Sequence, residues 1–404
     1  MTNWQERDAT YMMATYNRMP IAIEKGEGNY LFDTEGNQYL DLFTGLAVNV
    51  LGHSHPDIVQ TIKEQAEKFL HISNVFLNKP AIELAERLVT HTLPNGKVFF
   101  TNSGAEATEA AIKLVHKWTK EQKEPKAGVI VLEKSFHGRT LGALKLTRQP
   151  GVYQDFPVTS TPVYEVPPHD LKQLEMVMEK EQPAAIIMEP VLGSGGIVPL
   201  DVKYLTDVAQ LCKQYGVLFC MDEIQTGIGR TGKLFAYQYA NVSPDLILFA
   251  KGIGGGLPLG GIIVSESLAH LFQPGDHGTT FAPSPLSAAL GNTVFRVLLE
   301  KGLLEEANVQ SEYLWDKLQV IKDTYPEVID SIRGKGMMLG VVTRLSPEKT
   351  KQLQKQMLAD GFLVDVTQQT IMRLLPPLTL KREEVDEFID RFLANVETIQ
   401  KETV

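Results

Sequence analysis

Six short apolar runs in the middle of the chain constrain the fold more than any other feature. They read "VFFTNSG", "GVIVLEKSF", "AAIIMEPV", "GVLFCMDEI", "DLILFAKGI" and "GGIIVSE". Between them lie stretches such as "VKYLTDVAQLCKQYG", where apolar residues recur at helical spacing. Strands apolar on both faces and separated by helices indicate a mainly parallel sheet covered on two sides. The spacing therefore predicts an α/β fold, with a large domain over residues 51–290. The first forty-odd residues read as a short helix and a small antiparallel piece. "GNYLFDTEGNQYLDL" alternates around Thr34, Glu35 and Gly36, a hairpin signal. From Pro285 one long helix, "PLSAALGNTVFRVLLEKG", leads out of the large domain. Residues 291–404 then mix strands ("GMMLGVVT", "FLVDV", "TIMRLLPP") with helices ("KREEVDEFIDRFLANV"). This predicts a smaller α+β domain, which segment 1–50 joins.

Composition excludes some functions. The 404 residues are 43% hydrophobic and 22% charged, with a net charge of −10. That acidity disfavours nucleic acid and anionic lipid as partners. No run approaches the ~18 apolar residues that a membrane span needs. The start "MTNWQERDAT" has no basic region followed by an apolar one. Cys212 and Cys220 lack metal-ligand spacing and read as reduced, buried thiols, so a cytoplasmic location is expected.

Ligands of such sheets bind beyond the carboxyl ends of the strands, and the chemically versatile residues stand there. After "VFF" come Ser103, Gly104 and Ala105, at a helix start that offers free N–H groups to a phosphate; a simple helix cap would use the same serine. Asp222 and Glu223 follow another strand, one suited to orient a cofactor and the other to a structural bond. Phe136, His137 and Arg139 follow a third. Phe136 can stack on a flat ring, and Arg139 can fork onto a carboxylate. Lys251 ends "PDLILFAK". Its glycines follow it, so the phosphate-loop pattern, in which they precede the lysine, does not fit. A partly desolvated lysine at a strand end can instead form a Schiff base with a carbonyl. A phosphate cradle, a stacking aromatic, a carboxylate and such a lysine are together what pyridoxal 5'-phosphate (PLP) requires.

At this point the chain resembles the class III aminotransferases, members of the aspartate-aminotransferase-like PLP fold. The resemblance rests on "NSGAEATEAAIKLV", "SFHGRT", "MEP", "DEIQTGIGRTG", "AKGIGGGLPLGG", "HGTTF", "RGKGMMLG" and "RLLPPL", in that order. It implies that Lys251 carries PLP and moves the proton. Asp222 would face the pyridine nitrogen, Gln225 would lie near the 3-hydroxyl, and Phe136 would stack on the ring. Ser103, Gly104 and Ala105 would hold the phosphate, with Thr280 reaching the neighbouring subunit's cofactor, hence a homodimer. Segments such as "YNRMPIAIEKGEG", "GLAVNVLGH" and "SNVFLN" are most similar to acetylornithine aminotransferases. These move the terminal amine of N-acetylornithine to 2-oxoglutarate by a ping-pong route in arginine biosynthesis. The likeness implies that Arg139 binds the donor's distal carboxylate and Arg373 that of glutamate or 2-oxoglutarate. Tyr16 would lie at the pocket mouth. Leu46 stands where ornithine aminotransferases carry a tyrosine, which favours an acylated donor.

One loop departs from the family's pattern. Glu-Pro-x-Gln-Gly-Glu-Gly-Gly reads here as Glu189 to Gly196, with Leu192 for the glutamine and Ser194 for the second glutamate. In relatives acting on terminal amines that glutamate pairs with the arginine at position 373, which Ser194 cannot do. "TTFAPSPL" also lacks the usual Gly-Gly-Asn. An alternative therefore stays open: a class III transaminase of ornithine, 4-aminobutyrate or another ω-amino acid, with pyruvate as acceptor, or a dialkylglycine-decarboxylase-like enzyme.

Overall fold

The computed structural model describes residues 3–402 apart from 125, 150 and 157–159. After a short helix at Trp4–Tyr11 come three strands: β1 (Ile23–Glu27), β2 (Tyr30–Asp33) and β3 (Gln38–Asp41). The large sheet comprises β4 (Lys97–Thr101), β5 (Val129–Leu132), β6 (Val163–Val166) and β7 (Ala185–Met188), then β10 (Leu218–Asp222), β11 (Leu246–Phe249) and β12 (Gly260–Val264). A small hairpin, β8 (Val191–Leu192) and β9 (Val198–Pro199), lies between β7 and β10 in sequence. The sheet order is β4-β12-β11-β10-β7-β5-β6. Only β12 runs against its neighbours, so the mainly parallel sheet holds with one reversed member.

Strand residues divide by parity between two core layers. Ile186, Met188, Phe219, Met221, Ile247 and Phe249 pack on one face. Ala185, Ile187, Leu218, Cys220, Leu246 and Leu248 pack on the other. This period-2 division on two buried faces is why the runs show no polar alternation. Cys212 and Cys220 are both buried and free, and burial pushes both thiols up.

The long helix beginning at Pro285 is interrupted. Pro285–Phe295 passes into a wider π turn at Arg296–Glu300, and a second helix, Leu303–Thr324, starts after Gly302 at φ 78°. Beyond it lie β13 (Ile329–Lys335), β14 (Met338–Thr343), β15 (Phe362–Leu363), β16 (Asp365–Thr367) and β17 (Ile371–Leu374). The run "FLVDV" is thus two strands rather than one. β15 pairs with β3, whereas β16 joins the antiparallel sheet β13-β14-β17-β16. Residues from both ends of the chain also meet at Asn29, whose Nδ2 donates to the Thr379 carbonyl (2.9 Å) and to Glu384 Oε2 (2.7 Å). Among the described residues, no helix is long and apolar enough to cross a membrane.

Candidate active site

A cavity of about 450 Å³ opens at the carboxyl edge of the large sheet. The segments that follow β4, β5, β7, β10 and β11 line it, as the strand-end rule requires. Lys251 sits at its wall, two residues beyond β11, and begins a short 3₁₀ turn. Its φ of 52° lies in the left-handed region, which costs a non-glycine residue about 1–3 kcal/mol. Among the described residues, no hydrogen bond or ion pair engages its amine. Burial, reinforced by the positive charge of Arg373, lowers its pKa to about 8, against the opposing pull of Glu189 and Asp222. A neutral amine is the nucleophile, so lowering the pKa enlarges the reactive fraction as pH rises. Apo protein is expected to take up PLP with an initial rate that climbs through a midpoint near pH 8. Stopped-flow absorbance checks this; a midpoint at the ordinary lysine value, about 10.4, would contradict the desolvation.

Asp222 terminates β10 and is 3% exposed. Its Oδ2 lies 2.6 Å from His137 Nδ1, and its Oδ1 accepts from the Ile224 N–H at 3.1 Å. Against a carboxylate, Nδ1 is the protonated ring nitrogen. His137 Nε2 is buried without a partner. The sequence singled out His137 but gave it no role; the pair spans 85 positions, and the shared sheet edge is the only signal that joins them. Glu223 does the structural work. It accepts from the N–H groups of Ala236 (3.0 Å) and Tyr237 (2.7 Å) and from Thr226 Oγ1 (2.5 Å). Burial raises its pKa to about 7.

Glu189 received no role from the sequence either. Its carboxylate accepts from the Phe136 N–H (2.9 Å) and the Gly193 N–H (3.1 Å), so it braces two walls of the cavity at once. Burial raises its pKa to about 7, with His137 acting in the opposite direction.

Ser103 caps the helix Gly104–Glu121, its Oγ accepting from the Glu106 N–H at 3.3 Å, and it also lines the cavity. The capping and cradle readings therefore coexist. First-turn amides, here those of Gly104 and Ala105, have no intrahelical acceptor and point a partial positive charge outward. Gly138 lets the neighbouring loop close on this turn: its φ is +131°, and a Cβ there would meet Ala105 Cβ at 3.0 Å. Phe136 lines the wall, with the Arg139 guanidinium 5.8 Å from its ring centroid. Arg139 is exposed, lines the cavity and has no acidic partner among the described residues. Gln225 also lines it, and its Oε1 is buried without a partner.

The remaining expected residues lie outside the cavity lining of a single chain. Tyr16 is 75% exposed, Leu46 is 38% exposed and Thr280 is exposed. Thr279, beside Thr280, accepts through Oγ1 from Asn102 Nδ2 at 2.9 Å, which holds this segment near the cavity rim. Arg373 is buried and pairs with Asp365.

The model of the class III aminotransferases matches residues 11–396. The chain belongs to this family. An acetylornithine aminotransferase of Caldanaerobacter subterraneus subsp. tengcongensis is 42% identical over 93% of this chain and 95% of its own. The N-acetylornithine aminotransferase of Stenotrophomonas maltophilia K279a superposes with a TM-score of 0.83 at 32% identity, over 98% of this chain and 99% of that one. The ornithine aminotransferase of Toxoplasma gondii, crystallised with oxidised glutathione and described with partial PLP occupancy, gives 0.93 at 28% identity, covering 99% and 95%. The aspartate-aminotransferase-like fold and a PLP-dependent aminotransferase activity follow from this membership.

The cavity of the aminotransferase fits that cofactor on its own features. It offers an unengaged amine at Lys251, a buried carboxylate at Asp222 and an orphaned acceptor at Gln225 Oε1. Free first-turn amides at the start of helix Gly104–Glu121 also line it, where a phosphate is best held.

Proposed function

We propose that the aminotransferase moves the terminal amine of N-acetylornithine to 2-oxoglutarate, forming glutamate. The observation that carries this reading is the contrast between two arginines. Among the described residues, Arg139 stands at the cavity wall without an acidic partner, whereas Arg373 is buried and paired with Asp365. A donor with one carboxylate, distant from its reacting amine, suits the open arginine. An acceptor with two carboxylates needs the second. The curated relative's name points to the same donor.

When bound, PLP supplies an electron sink and the carbonyl that carries nitrogen between the two substrates. The chain supplies the rest. Lys251 would hold the cofactor through its amine and would serve as the base that takes and returns a proton at the substrate carbon. Its lowered pKa keeps a useful fraction neutral. Asp222, held by His137, would keep a negative charge against the ring nitrogen. Gln225 would offer its free oxygen to the ring hydroxyl, and Phe136 would cover a ring face. Ser103, Gly104 and Ala105 would hold the phosphate. Arg139 would orient the donor by its carboxylate, and Tyr16 would border the entrance.

Several further expectations belong to this reading. The active form is a homodimer in which Thr280 serves the partner's site. Val75, Phe76, Leu77 and Phe281 support it, since these large apolar side chains are at least 65% exposed. Their two segments are tied together by Asn74 Nδ2, which donates to the carbonyls of Thr279 and Ala282. Division of the chain near residues 50 and 290 and a cytoplasmic location complete it, the latter supported by two free buried thiols.

A half-reaction panel followed by loss of the PLP absorbance tests the donor. N-acetylornithine and glutamate should both convert the enzyme rapidly, while β-alanine, 4-aminobutyrate and free ornithine should be slow. Arg139→Gln should raise the KM for N-acetylornithine about 10- to 100-fold, the worth of one charged hydrogen-bonding contact. An inert N-acetylornithine beside a fast ω-amino acid would sink the assignment.

A further inference from the structure

Arg373 has more hydrogen-bonding capacity than its surroundings use. It is 6% exposed. Its Nε and Nη2 both donate to a single oxygen, Oδ2 of Asp365, at 2.9 and 2.5 Å. Its Nη1 is buried with no partner. The pair is a product of register, because Asp365 on β16 lies directly across from Arg373 on β17. A guanidinium fork is best met by two carboxylate oxygens in parallel. Here one oxygen takes two N–H groups and one arm of the fork stays idle.

The two partners are also unequally fixed. The Asp365 side chain keeps 25% of its surface exposed, against 8% for Arg373. The arginine is enclosed by its packing, and the acid is the partner with the larger solvent-exposed share. The hairpin that carries them abuts the site. Thr367 Oγ1 and Gln368 Nε2 donate to the Ser194 carbonyl at 3.2 and 2.8 Å, and Ser194 lines the cavity.

We infer that Asp365 is a displaceable counter-ion on Arg373 and sets the enzyme's affinity for dicarboxylates. This rests on the reading of Arg139 and Arg373 given above. With a monocarboxylate donor held at Arg139, Asp365 stays paired, and Arg373 offers no net charge to a second ligand. A dicarboxylate such as 2-oxoglutarate brings two oxygens to the fork, engages the idle Nη1, and turns Asp365 out to solvent. The acid thereby acts as an internal competitor that only a bidentate carboxylate outbids. It supplies an acid for Arg373 although position 194 is serine.

Glutarate, which has two carboxylates and no amine or carbonyl, isolates this step. Calorimetric titration of the PLP-loaded enzyme with glutarate should give a Kd about tenfold lower for Asp365→Asn than for wild type, because one charged hydrogen-bonding competitor is gone. The KM for 2-oxoglutarate should fall in parallel, and that for N-acetylornithine should stay put. Asp365→Glu retains the charge and should keep glutarate affinity near the wild-type value. If the asparagine variant does not fold, Asp365→Thr, whose branched side chain suits a strand, replaces it. A folded variant with unchanged or weaker glutarate binding overturns the inference, as does a lowered Tm with an unmoved Kd, the mark of a purely structural pair. Failure of the donor reading would appear separately, in the wild-type half-reaction panel. Loss of the role given to Arg373 would appear as an Arg373→Gln variant that binds glutarate normally.

Discussion

Lys251→Ala is expected to lower turnover by about 10⁴-fold or more, the upper range for removing a positioned acid–base group, and to abolish the borohydride-fixable link to PLP. Among the described residues, Lys251 is the only lysine lining the cavity, so no second amine among them stands ready to substitute. The neighbouring positions reinforce this. Gly252 has no room for a side chain, since a Cβ there would meet Val50 Cγ1 at 2.6 Å. The turn is built for one long side chain entering the cavity at one point. The variant should still fold. It loses an amine that is costly to bury and keeps the same backbone, so the apo protein's Tm should equal or exceed that of wild type. Turnover measured beside Tm and absorbance checks the set; a Lys251→Ala protein with full activity would remove the covalent role altogether.

The second large effect is expected at Asp222. Asp222→Asn should slow both half-reactions by about 10²- to 10³-fold, the scale of losing one preorganised electrostatic contact in a water-poor site. PLP should remain bound, because Lys251 and the helix start at Ser103 are untouched. The buried pair with His137 explains why an amide is a poor replacement. It is similar in size but carries no charge, and the imidazole N–H faces it at 2.6 Å in wild type. The pattern across half-reactions identifies the cause. Asp222→Asn should affect both equally, Arg139→Gln the donor side and Asp365→Asn the dicarboxylate side. An Asp222→Asn enzyme impaired in only one half-reaction would mean that the carboxylate acts on a substrate rather than on the ring.

What was legible in the sequence follows from the kind of interaction involved. Strand ends were legible because buried parallel strands are written as unbroken apolar runs, and the residue after each run falls on the ligand-binding edge. Ser103, Phe136, Asp222 and Lys251 were reached in this way. The His137–Asp222 pair was not, because two strand ends can be adjacent or far apart for the same local pattern; only strand order decides. β5 and β10 are separated by β7 alone, which brings the two loops within reach. Glu189 was hidden for a related reason: its partners are backbone N–H groups, and these leave no trace in residue identity. The Asp365–Arg373 pair had a readable signal. "DVTQQTIMR" is two short apolar-containing stretches about a polar turn, and in a hairpin an acid and a base at its two ends face each other. What obscured it was reading "FLVDV" as one strand, although the run divides between β15 and β16 in two sheets.

That division of one run between two sheets has a mechanical meaning. Val364 alone separates β15, clamped to the chain's N-terminal strands, from β16, which carries the acid opposite Arg373. No slack exists there to absorb an inserted or deleted residue. A single step would turn Asp365 to the opposite face of its strand and strip Arg373 of its counter-charge. A change of length in this part of the chain is best absorbed by the turn at 368–370, where Gln368 and Gln369 already adopt left-handed backbone. The N-terminal strands thus act as a fixed ruler from which the acceptor's arginine is measured.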